Sequence, residues 1–170
     1  MHALNKRLTY LRDREALAAF LLPAVIVYTW HDSGGEISWG IRIGALFLLS
    51  YILLQGTWYW HLKLRALGNA KQLPRYFHRL FRAFWWSNLA GMGALLAALL
   101  CSSALSLSSS DIKWSAGLLA GALLEQINYY HYQLMYDTRA AFDFLRRNRR
   151  LRKAALGLDM ARVKHAAPGR

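Results

Sequence analysis

Four long apolar stretches alternate with short polar ones along the chain. Ala16 to Trp30 carries no charge. Leu8, Tyr10 and Leu11 extend the apolar pattern backwards, so the first helix is expected to start before its charge-free part. Pro23 lies inside it, a position that removes one helical hydrogen bond. The second stretch runs from Ile37 to Trp60, the third from Ala83 to Leu107, and the fourth from Lys113 to Tyr136. Each exceeds the length of an ordinary buried strand and carries helix-compatible residues. A helix rises about 1.5 Å per residue, and a bilayer core of about 30 Å needs roughly 20 residues. The pattern therefore predicts an all-α integral membrane four-helix bundle. Its spans are about 15–31, 38–60, 83–106 and 114–136. The short connections at Asp32–Glu36 and Ser108–Asp111 make two antiparallel hairpins.

A signal peptide competes for the first stretch. His31-Asp32-Ser33-Gly34-Gly35 lacks a small-residue cleavage pattern, so a retained span is expected. Residues 1–138 then form the membrane domain, and 139–170 a basic cytoplasmic tail, helical and then disordered. A compositional reading agrees: 55% of the residues are hydrophobic and 18% charged, and apart from Arg42, Lys113 and Glu125 the charges fall between the apolar stretches rather than within them. Hydrocarbon imposes that segregation, because a charge at its centre is costly.

Charge adds orientation. The net charge is +13, and 20 of the 22 Lys and Arg residues fall in the N-terminal segment, between the second and third stretches, or after the fourth. Arg42 and Lys113 lie on the other side, where Arg42 is expected to snorkel outward. By the positive-inside rule both termini are cytoplasmic, and the expected location is an inner cell membrane. Trp58, Trp60, Trp85 and Trp86 mark the inner ends of the spans; Trp30, Trp39 and Trp114 mark the outer ends. Topology accounts for the basicity, so no nucleic-acid partner is expected.

Leu53–Leu64 and Leu123–Leu134 align at an offset of 70 residues, with both leucines, Tyr59 on Tyr129, His61 on His131, and Leu64 on Leu134 identical. Gln55 lies over Glu125. The match suggests a parallel internal repeat with a pseudo-twofold axis along the membrane normal. Interfacial composition alone produces similar matches.

The most informative stretch is Glu125–Gln133. Glu125 sits roughly 18 Å along the fourth helix, too deep for the headgroup region. On a helical wheel it shares a face with Asn128, Tyr129, Tyr132 and Tyr136, while His131 points elsewhere. Gln55, Tyr59 and His61 occupy equivalent places on the second span, and the third adds Asn88. A polar intramembrane cluster of Glu125, Asn128, Tyr129, His131, Tyr132, Gln55, Tyr59, His61 and Asn88 is therefore the candidate site. Belt positions explain Tyr and His equally well, and amides serve as interhelical glue. In the tail, Arg146, Arg147, Arg149, Arg150, Arg152 and Lys153 crowd into eight residues and read as an anionic-lipid contact.

The sequence holds no nucleotide loop, no His-Glu-x-x-His, no paired zinc motif and no nucleophile elbow. Cys101 is the single cysteine and forms no internal disulfide. No cofactor or metal is indicated. The favoured reading is non-enzymatic: a small membrane subunit or scaffold, in contact with the bilayer and anionic lipid, working as a homodimer or beside a partner membrane protein. Transport of protons, ions or a small cation through Glu125 is the alternative. The third is an enzyme on a lipid-linked substrate, pairing Glu125 with His61 and holding phosphate with Arg65, Arg82 and Arg139.

Overall fold

The computed structural model describes residues 2–32, 37–68, 73–135 and 139–165. The described residues form six helices: α1 His2–Asp32, α2 Trp39–Gly68, α3 Phe77–Leu100, α4 Ser109–Tyr130, α5 Arg139–Asn148 and α6 Ala155–His165. The expected all-α class holds. Two of them, α2 and α3, are long and apolar enough to cross a membrane. Among the described residues there are thus two such helices rather than the four expected. In α1 the charge-free run Ala16–Trp30 is only 15 residues long, and α4 carries Asp111, Lys113, Glu125, Gln126 and Asn128.

Helix α2 is the centre of the molecule and packs on α1, α3 and α4, while α3 also packs on α4. Ile52 of α2, Phe77 and Phe81 of α3, and Ala122 of α4 are fully buried in the shared core. The outward face of α3 stays open, with Trp86, Leu96 and Leu100 exposed.

The helix ends differ from the sequence expectation in informative ways. Helix α2 continues eight residues past Trp60, and α3 stops at Leu100, where Cys101–Ser106 turn and Ser106 adopts φ 50°. Helix α4 opens on a capping box: the Asp111 amide donates to Ser108 Oγ at 3.1 Å, and the Ser108 amide donates to Asp111 Oδ2 at 3.2 Å.

At its other end α4 stops at Tyr130, six residues before the expected 136. Asn128 Oδ1 accepts from the Leu134 amide at 2.9 Å; the His131 and Tyr132 amides still donate to Ile127 O, at 2.9 and 2.8 Å, and beyond them the backbone pairs with the tail. Gln133 N donates to Arg152 O at 2.8 Å, and Ala154 N donates to His131 O at 3.1 Å. This staple leads into α6, which packs on α3 and α4 and buries Ala154 and Leu156. The tail therefore has two helices joined by an extended stretch, and the second belongs to the bundle. The loop expected at Asp32–Glu36 falls largely on 33–36, Tyr136 on 136–138, and the disordered end on 166–170; all three lie outside the described residues.

Candidate functional site

Polar groupings hold the helices together, and most of the expected cluster is divided among three of them. The first is an amide knot at the centre of the bundle. Gln55 Nε2 donates to Asn88 Oδ1 at 2.7 Å, Asn88 Nδ2 donates to Gln55 Oε1 at 2.9 Å and to Gln126 Oε1 at 2.8 Å, and Tyr130 Oη donates to Gln55 Oε1 at 3.2 Å. One amide side chain from each of α2, α3 and α4 thus meets at a point that is at least 97% buried. Amides suit this place because each offers both donors and an acceptor without charge. Gln126 Nε2 alone has no partner there. The knot ties the three helices together, and its other amide groups satisfy one another.

The second grouping surrounds Tyr129. Its hydroxyl donates to Glu15 of α1 in a short hydrogen bond. Asn128 Nδ2 donates to Glu125 Oε2 at 3.1 Å, one helical turn away. Gly56 of α2 makes room for the tyrosine: a Cβ built there would lie 2.3 Å from Tyr129 Oη. Glu125 is half-buried.

Tyr59, aligned with Tyr129 at the 70-residue offset, belongs to the third grouping. It is 1% exposed and ringed by Trp60, Phe77 and Phe81 at 4.7, 6.3 and 6.1 Å between ring centres. Its hydroxyl donates to Asp159 Oδ2 of α6 at 2.7 Å, and Lys63 Nζ donates to the same oxygen at 2.6 Å. Both aligned tyrosines therefore donate to a carboxylate from another helix.

The remaining candidates scatter. His61 lies against Trp58, 6.2 Å between ring centres, and His131 and Tyr132 are exposed. Among the described residues neither histidine hydrogen-bonds to Glu125, whose carboxylate accepts from Asn128. No group of three His, Cys, Asp or Glu among the described residues is placed to hold a metal. Arg146, Arg147, Arg149, Arg150, Arg152 and Lys153 are all exposed.

Sequence reasoning missed four partners. Glu15 and Asp159 read as ordinary polar residues at helix margins, and Gln126 was masked by its more prominent neighbour Glu125. Arg42 was expected to reach outward, but it is 2% exposed and donates through Nε to Asp111 Oδ1 at 2.6 Å and through Nη2 to Ser110 Oγ at 2.9 Å. It also lies 5.4 Å over the ring of Trp30, which is fully buried with Trp39 and Trp114 edge-on to it. Trp30 thus covers the ion pair, and Trp39 and Trp114 pack against Trp30. Burial alone would raise the Asp111 carboxyl, but hydrogen bonds from Ser108, Arg42 and the Ser38 amide outweigh it and hold the group below its usual range. A signal was present: Arg42 is a lone basic residue near the start of an apolar stretch. Near this end, Ser110, Lys113, Trp114, Gly117 and Leu118 line a shallow groove of about 380 Å³, away from Glu125.

No protein family, curated protein or solved structure matches this chain.

Proposed function

We propose that the chain is a four-span inner-membrane protein with both termini in the cytoplasm, a membrane-embedded subunit or scaffold whose tail gathers anionic lipid. The two apolar helices and the twenty-to-two division of basic residues support the topology. Helices α1 and α4 then cross with their charged groups at the ends or turned inward: Glu15 toward Tyr129, Asp111 toward Arg42. The interior favours a scaffold, because its buried amides are spent on joining helices.

The observation that carries the lipid reading is the staple. Residues 131–133 and 152–154 are joined through backbone hydrogen bonds, so the six exposed cations from Arg146 to Lys153 are held at the inner end of α4 rather than on a free tether. A basic residue near an anionic surface contributes about 1 kcal/mol. Native mass spectrometry of the detergent-purified protein tests this. Phosphatidylglycerol or cardiolipin is expected to stay bound in preference to phosphatidylcholine. Neutralising Arg146, Arg147, Arg149 and Arg150 to Gln should weaken that retention at least about tenfold. Equal retention of anionic and zwitterionic lipid would overturn the reading.

A second reading, movement of protons or cations, rests on one contact. Tyr129 brings Glu15 of α1 to the same turn of α4 that carries Glu125. Ion flux into liposomes that is unchanged by Glu125→Gln and Glu15→Gln removes it.

A further inference from the structure

Among the described residues, helix α5 is the element with the most strongly two-sided surface; on its apolar side Phe142 is exposed and Phe144 and Leu145 are half-buried. At 100° per residue, Phe142, Phe144 and Leu145 occupy one half of its circumference, and Arg139, Asp143, Arg146 and Arg147 the other. Phe142 is 58% exposed, and Leu151, just beyond the helix, is 40% exposed. An aromatic ring left this open in water costs about 1.5–3 kcal/mol relative to burial, so the face calls for a cover.

Its position says what that cover is. The chain leaves the staple at Gln133 and returns to it at Arg152, whose carbonyl accepts from the Gln133 amide. Arg149, at φ 48°, reverses the direction after α5, and its amide donates to Leu145 O at 2.9 Å. The excursion of 134–151 therefore ends at the level where it began, just beyond the last turn of α4. Ten residues of helix span about 15 Å. A segment of that length, pinned at the mouth of a membrane-crossing helix, stays at the depth of the headgroups. Cations stand on its polar half and immediately after it, and the surface they face is anionic.

Resting on the membrane topology proposed above, we infer that α5 lies in the plane of the inner leaflet as an interfacial anchor, with Phe142, Phe144 and Leu145 among the acyl chains and its arginines among anionic headgroups. The anchor gives the lipid contact an apolar component that salt does not screen.

The test uses the full chain with Cys101→Ser, carrying Phe142→Cys, Leu145→Cys or Asp143→Cys labelled with an environment-sensitive fluorophore and reconstituted in phosphatidylcholine–phosphatidylglycerol liposomes. Labels at 142 and 145 are expected to be quenched about twofold or more by lipids brominated in the acyl chain and shielded from aqueous iodide, with the reverse at 143. The label at 145 keeps the test valid if the change at 142 disturbs the helix. Equal iodide quenching at all three positions overturns the inference, since α5 would then stand in water. Protection of 142 and 145 from both quenchers also overturns it, because a protein would be the cover. Acyl quenching without selective retention of anionic lipid leaves α5 in the leaflet and removes the scaffold's lipid preference; retention without acyl quenching does the opposite.

Discussion

Gly56 stands where the ring of Tyr129 needs space. A methyl group there would meet the hydroxyl at 2.3 Å and the ring carbons at 2.4 and 2.8 Å, so the tyrosine must leave and its bond to Glu15 must break. Gly56→Ala is therefore expected to destabilise the protein by about 1–3 kcal/mol, the usual cost of overpacking. Gly93→Ala, with nothing within 4 Å, is expected to be neutral. Thermal unfolding of both variants in the same detergent makes the comparison. Arg42 and Asp111 give a second residue-scale prediction. The Asp111 carboxyl titrates lower when folded than when unfolded, so its contribution is complete above the unfolded value, ordinarily near 3.8. That contribution is lost as pH falls through the lower folded value. The melting temperature of the wild type should hold down to about pH 4 and then fall. Asp111→Asn should lower it at neutral pH, by about 3–5 kcal/mol in stability, because a buried guanidinium loses its counter-charge. It should also flatten the acid limb. A wild-type-like acid limb in Asp111→Asn would assign the loss to other carboxylates.

At the scale of elements, the question is what keeps α6 on the bundle. Asp159 accepts from both Tyr59 and Lys63, and Leu156 fills the space beside it. Hydrogen bonds to a charged group contribute about 1.5–3 kcal/mol each, so Asp159→Ala should raise the population of undocked α6 about tenfold or more. Faster tryptic cleavage at Arg162, with unchanged melting of the helical signal, is the expected outcome; unaltered cleavage would mean that Leu156 alone secures the helix. This docking shows where the sequence was legible and where it was not. The all-α class followed from apolar runs and helix-forming composition; the division of the tail into two helices did not. Gln55 and Asn88 were legible as interhelical contacts because an amide deep in an apolar run has few places to point. The early end of α4 was not legible. Residues 131–135 suit a helix by composition, and what stops them is the Asn128 side chain together with a backbone partner about twenty residues further on. The partner of Tyr59 was hidden for the same reason. Its partner lies 100 positions away, and nothing local distinguishes Asp159 from any other aspartate in a short polar helix.

For the whole molecule, the first thing to establish is which side each end faces. Ser109 opens α4 at the end opposite the basic segments and is exposed. In the Cys101→Ser background, Ser109→Cys is expected to react with a membrane-impermeant maleimide added outside sealed cells. Reaction only from inverted vesicles would reverse the proposed orientation. The docking of α6 has a further meaning for how such a molecule is made. The aromatic nest around Tyr59 is synthesised early, and the carboxylate that completes it emerges 100 residues later. Until then the Tyr59 hydroxyl and Lys63 lack that acceptor, and the end of the bundle where α6 docks is unfinished. Assembly is thereby tied to the order of translation: α2 and α3 are made first, and the arrival of residue 159 closes the nest. A nascent chain interrupted before that point carries an open aromatic cup around Tyr59, a difference in exposed surface between an incomplete copy and a finished one.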